Sequence, residues 1–274
     1  RTWLPAKLFS RVRTVEVRAL DDAEATLLAE AFPSLAPLLF GGEAVRSVVR
    51  RPFFAAVLAK SVGPGQVTAS SEVNLAQLWW SGGGYSAEAA RAQHRRAALV
   101  GLAREGAARL GRRIPVGGID PQALVELEAD GIIRPQRLGH SVQFTHDIFF
   151  EWAFLQLLVG EEERWPDVMR QVGEPPALGR VVELLSQAEL LLGENWVSYL
   201  QLLESNTQLR SQWLRAWLAG PFGLETFAEH ADAYTEALFE GDTKRVRQLV
   251  VWYQAAKSQP DSSVLTNANA TDLN

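Results

Sequence analysis

The chain contains no cysteine. That excludes disulfide frameworks, thiolate zinc sites and cysteine nucleophiles, and it suits a reducing compartment, the cytoplasm by default. No uniformly apolar run reaches the roughly 18 residues that a membrane helix requires, because Arg, Glu, Gly or Pro interrupts each one. No membrane span is expected. The only methionine is Met169, the first residue is Arg1, and there is neither a secretory h-region nor an A-x-A cleavage site. The expectation is a piece of a longer protein. The phosphate-binding sequence G-x-x-x-x-G-K-[ST] is missing, and the glycine clusters at Gly41, Gly82 and Gly117 lack the lysine that meets a terminal phosphate. Four histidines, His94, His140, His146 and His230, have no partner at metal-ligand spacing, so neither a metal site nor a catalytic residue is predicted.

What is present is ordinary globular material: 274 residues, 47% hydrophobic and 22% charged, with a net charge of -5. At roughly 150 residues per domain this length suggests about two domains. Residues 14–20 alternate Val15 and Val17 with charged neighbours, the pattern of a short strand. Asp21 or Asp22 can cap a following helix, which Phe32-Pro33 ends. Helical patterns resume over 44–62, 75–80 and 87–110, so residues 21–110 form a small all-α domain after the 1–20 end of a preceding one.

The pattern changes over 111–159. Asp120-Pro121 opens a helix that closes at Asp130-Gly131, and residues 132–145 carry the alternation of a two-stranded hairpin. A helix followed by a β-hairpin predicts a winged helix. An apolar helix follows over 147–158, with Asp147 as its expected cap. Helical stripes then run over 180–192, 196–203, 209–218, 225–239 and 243–256, so 160–257 reads as a helical bundle or the start of an α-solenoid. Residues 258–274 are polar and aperiodic, a linker or end. The fold class is therefore mainly α.

A winged helix invites a DNA reading, since its second helix usually enters the major groove and offers basic side chains there. Here that helix reads PQALVELEAD, with Glu126, Glu128 and Asp130 and no basic residue. A phosphate backbone should be repelled, and specific DNA binding is not expected. Arg134 and Arg137 in the hairpin could touch phosphate, but two arginines on a turn are more often plain solvated charge.

The order of these pieces resembles the second half of STAND-class, AAA+-related signal-transduction NTPases, particularly bacterial antiviral ones. The residues carrying the likeness are TVEVRALDDAEA at 14–25, RRPFFAAVL at 50–58 and VQFTHDIFFEWAFLQLL at 142–158. The resemblance implies a cytoplasmic protein that switches between an ADP-bound resting state and an ATP-bound oligomeric state, with Mg²⁺ held elsewhere in the parent. It also implies an ATPase core preceding this chain in cis, and a protein trigger sensed by a C-terminal region. Carried over residue by residue, Pro52 resembles the helical-domain proline that packs beside adenine. His146 resembles the winged-helix histidine that binds the ADP β-phosphate, although Thr145 replaces the methionine of that motif. Arg1 resembles the sensor arginine that ends the preceding strand. The chain carries no Walker A or B sequence and is expected to be inactive alone. Two alternatives belong to other classes: a winged-helix transcriptional regulator, and a helical protein-interaction scaffold whose nine tryptophans fill cores or meet a partner.

Overall fold

A computed structural model describes residues 18–61, 70–85, 88–193, 195–240 and 243–257. The chain is mainly α-helical with one small antiparallel sheet. It divides into two compact units, Arg1–Trp79 and Trp80–Asn274. Among the described residues no helix is long and apolar enough to cross a membrane.

In the first unit, helix α1 (Asp22–Ala31) starts as its sequence dictates. The Asp21 carboxylate accepts from the Glu24 N–H at 2.8 Å, and the Glu24 carboxylate accepts from the Asp21 N–H at 3.0 Å. This reciprocal cap satisfies two otherwise orphaned donors. Two short helices follow, α2 (Ala36–Leu39) and α3 (Glu43–Val49). The stretch 44–62, expected as one helix, is broken at Arg50-Arg51, and α4 restarts over Pro52–Ser61. The cause is Pro52, which has no N–H to continue the ladder and whose ring disfavours helical backbone in the residue before it. Arg50 uses the break: its Nε donates to the Leu39 carbonyl at 2.9 Å, its Nη1 pairs with Asp22 at 2.6 Å, and its own carbonyl accepts from Leu20 at 2.7 Å. Helix α5 (Glu72–Ser81) begins earlier than its apolar pattern suggested. The expected strand at 14–20 lies largely outside the described residues, and Arg18 to Leu20 have no regular secondary structure.

The second unit opens with the winged helix: α6 (Ala89–Gly106), β1 (Ile114–Pro115), α7 (Pro121–Ala129), β2 (Ile133–Arg137), β3 (Ser141–Phe144) and α8 (Asp147–Glu161). The sheet is three-stranded with order β1-β3-β2, so the expected hairpin gains an edge strand at Ile114–Pro115. Register pairs Ile114 with Val142 and Ile133 with Phe144, placing all four side chains on the buried face. Helix α7 is capped by Asp120, whose carboxylate accepts from the Gln122 N–H at 3.0 Å, with Pro121 in the first turn. Gly131, at φ 73°, ends it. Helix α6, read from sequence as part of the 21–110 helical domain, packs against α7, β1 and α8 within the second unit. Its buried face, Ala92, Arg95, Leu99 and Leu102, explains that placement.

Beyond α8 the chain continues as α9 (Trp165–Gln171), α10 (Gly179–Leu192), α11 (Trp196–Ser205), α12 (Ser211–Ala219), α13 (Phe227–Phe239) and α14 (Lys244–Lys257). Helix α9 was not legible: it has seven residues, follows Glu161-Glu162-Glu163, and contains Pro166. Trp165 holds it down, fully buried and stacked on Trp217 at 5.9 Å between ring centroids. Trp196 stacks on the same indole at 6.1 Å, and Tyr199 meets it edge-on. Ser186, fully buried on α10, links this cluster: its hydroxyl donates to the Trp217 carbonyl at 2.6 Å and accepts from the Trp196 indole at 2.8 Å. The buried Glu174 carboxylate likewise accepts from the Trp213 indole at 2.5 Å and the Arg210 N–H at 2.9 Å. Tryptophan here fills core, with each polar handle in Trp196 and Trp213 satisfied.

Candidate functional site

Thr145 fixes the base of the wing. Its N–H donates to the Ile132 carbonyl at 3.0 Å and its hydroxyl to the Gly131 carbonyl at 2.6 Å, tying the end of β3 to the turn after α7. A methionine at this position would supply no such hydroxyl bond, so Thr145 has a local structural use. The next residue, His146, is extended (φ -132°, ψ 140°) and stands at the N-cap of α8 with an exposed side chain. Its ring meets the buried Phe149 edge-on at 5.8 Å, and Phe149 meets Tyr85 edge-on at 6.2 Å.

Asp147 was expected to cap this helix through its carboxylate. Instead His146 holds the N-cap position, no side-chain hydrogen bond closes it, and Asp147 is the first helical residue. The carboxylate there still interacts favourably with the partial positive charge of the helix end. An anion approaching His146 therefore meets an imidazole and a helix N-terminus that attract it, and one carboxylate that opposes it.

Under this surface lies an ion cluster. Arg95 is only 4% exposed. Its Nε donates to the Gly83 carbonyl at 2.7 Å, its Nη2 pairs with Asp130, and its Nη1 lies 3.9 Å from Glu126. Asp130 also acts on Tyr85, whose hydroxyl pKa is pushed up to about 12, first by burial and then by that carboxylate. Gly84 sits at φ 97°, and a Cβ there would lie 2.4 Å from the Ile132 Cδ1, so this approach requires glycine. Two of the three carboxylates expected to repel phosphate, Glu126 and Asp130, are thus engaged by Arg95. Sequence reading missed Arg95; the available signal was its place on the Ala92, Leu99, Leu102 face of α6, where a solvated arginine does not belong.

Pro52 is half-buried at the first position of α4, in the first unit, beside Arg51, whose guanidinium lies 5.5 Å from the centre of the Phe54 ring. His146 belongs to the second unit. Arg1 lies outside the described residues. Among the described residues no group of three or more acidic or histidine side chains could hold a metal ion. His94 approaches Asp120 at 3.5 Å on the edge of a cleft of about 480 Å³ between α6 and the start of α7. A second cleft, about 360 Å³, lies between α10, α12 and α14 and is lined by Glu183, Arg215 and Trp252 among others. Neither cleft includes Pro52 or His146.

The fold and site define a mainly α-helical chain carrying a winged helix whose wing delivers an exposed histidine to a helix N-terminus. No model of a known protein family matches the chain, and no curated protein matches it.

Proposed function

We propose that this chain is the regulatory, nucleotide-sensing portion of a STAND-class ATPase of the bacterial antiviral or signalling type. In this reading the parent rests with ADP and oligomerises with ATP in the cytoplasm. The observation that carries the reading is the position of His146. Its exposed imidazole stands at the end of a wing strand and at the N-terminus of a 15-residue helix, where both the ring and the helix dipole favour a phosphate oxygen. A hydrogen bond from a charged or neutral imidazole to phosphate contributes about 1.5 to 3 kcal/mol. Pro52 supplies the second contact in this reading: a rigid apolar ring, half-buried, without an N–H to compete with a base.

ATP or ADP suits these residues at the β-phosphate and adenine only. Mg²⁺ and the terminal phosphate need lysine, hydroxyl and carboxylate ligands of a P-loop core, which the parent provides in cis. The chain's own part is to hold the base and to donate a proton in a hydrogen bond to the β-phosphate, with Thr145 fixing the base of the wing that carries His146. Sizing chromatography of the parent with ADP and with a non-hydrolysable ATP analogue tests the reading. A low-order species with ADP and a discrete larger assembly with the analogue support it; one size under both conditions overturns it.

A further inference from the structure

The molecule is acidic overall but has several acid-free segments, and two of them are 106–119 and 131–146. The fold brings them together as the root, edge strand and wing of the sheet. They carry five exposed arginines: Arg109, Arg112, Arg113, Arg134 and Arg137. Elsewhere in the second unit, arginines such as Arg104, Arg170 and Arg180 sit 4 Å or less from carboxylates. Among the described residues none of those five has a carboxylate partner; Arg134 is paired across the strands with Gln143, and Arg109 donates to the Glu105 main-chain carbonyl.

Register gives the patch its shape. Arg113 precedes Ile114, which pairs with Val142, and Arg134 pairs with Gln143, so Arg113 and Arg134 flank the central strand about 10 Å apart. Arg137, Leu138 and His140 stand at the other end, about 10 to 13 Å along the ribbon from Arg134. Leu138 is 87% exposed, the most exposed large apolar side chain of the described residues, at the tip of a basic ribbon. Leu138 thus presents an apolar group next to Arg137, whose guanidinium has no carboxylate partner among the described residues.

From this we infer that the wing ribbon docks on the phosphate backbone of duplex DNA, tip first and without reading sequence. Arginine forks match phosphate oxygens bidentately. B-form DNA has a major groove wide enough for a two-stranded β-ribbon, whereas the major groove of an RNA duplex is too narrow and deep for one. Leu138 then meets sugar surface at the groove wall. In this mode the acidic α7 stays off the phosphates: Arg95 offsets one of the two charges on Asp130 and Glu126, and the contact is confined to the ribbon. Without basic side chains on α7 the contact stays non-specific. The inference is independent of the nucleotide reading.

The test is fluorescence anisotropy of the whole chain with a labelled mixed-sequence DNA duplex of about 20 base pairs, between about 50 and about 200 mM salt. The native chain should bind at low salt and weaken steeply as salt rises. The triple variant Arg113→Gln, Arg134→Gln, Arg137→Gln should bind at least tenfold more weakly, with a salt slope shallower by about 2 to 3. The matched variant Arg104→Gln, Arg170→Gln, Arg180→Gln loses the same charge at paired positions and should bind like the native chain. Single Arg137→Gln at the wing tip, which touches no core, should lower the slope by about 0.9 and keeps the test open if the triple variant unfolds. Absence of salt-dependent binding, equal loss in both triple variants, or tighter binding to an RNA duplex overturns the inference. So does sedimentation in which the wing variant abolishes self-association instead, since the occupant is then a second copy of this chain.

Discussion

Replacing Arg95 with methionine keeps the length and apolar stem of the side chain but deletes the guanidinium. The structure sets the consequences. One hydrogen bond to the Gly83 carbonyl is lost, and two carboxylates, Asp130 and Glu126, lose the guanidinium beside them. Removing one member of a fully buried ion pair costs about 3 to 5 kcal/mol. Here the carboxylates retain 32% and 21% side-chain exposure, so water recovers part of that, and the net cost should be about 2 to 4 kcal/mol. For a unit of this length each kcal/mol lowers Tm by about 2 to 4 °C, which gives a fall of about 4 to 16 °C. Circular dichroism melting and a urea titration measure it. Adding Glu126→Gln and Asp130→Asn to Arg95→Met removes the orphaned charges and should restore at least half of the loss. If Arg95→Met alone changes stability by less than about 0.5 kcal/mol, or if the added substitutions deepen the loss, the cluster is not the clamp described here.

Ser186→Ala should cost about 1 to 3 kcal/mol in the same melts, because it leaves the buried Trp196 indole N–H without an acceptor; a change near zero contradicts the shared-hydroxyl account. Glu189→Gln tests a pH effect. Burial raises the Glu189 carboxyl pKa, partly offset by hydrogen bonds from Asn195, so the folded state binds the proton more tightly than the unfolded chain and stability falls as pH rises through that window. Glu189→Gln should therefore flatten the decline of stability above the ordinary carboxylate range, and an unchanged pH profile refutes it. Pro52→Ala in the parent protein should weaken ATP and ADP binding alike, because adenine is common to both; a selective loss of one nucleotide, measured by titration calorimetry, contradicts the adenine contact.

Much of the architecture is legible from local rules. Asp21 with Glu24, and Asp120 with Pro121, mark helix starts that the structure realises through main-chain hydrogen bonds. The wing follows from alternation at 132–145, with Val142 and Phe144 inward. Helix α9 escapes because seven residues carry too little periodicity and its stability comes from Trp165 stacking on a tryptophan 52 positions later. The break at Arg50 was written in Pro52 and is missed when apolar periodicity is followed across it. Within the site, His146 stands out in the sequence as a histidine between a strand and an apolar helix. Arg95 does not, because its carboxylate partners lie 31 and 35 positions away and only the packing of α6 on α7 brings them together.

His146 is proposed to hold the β-phosphate in the resting state of the parent protein. The direct measurement is the ADP dissociation rate from the full-length parent, native against His146→Ala, with thermal unfolding of both alongside. A contact made only in the closed state biases the equilibrium by its differential affinity alone. Loss of about 1.4 to 2.8 kcal/mol should speed ADP release about ten- to a hundredfold with Tm nearly unchanged, since the imidazole is exposed and makes its ring contact at one edge. An unchanged release rate accompanied by a fall of several degrees in Tm would contradict the account and assign His146 to packing against Phe149.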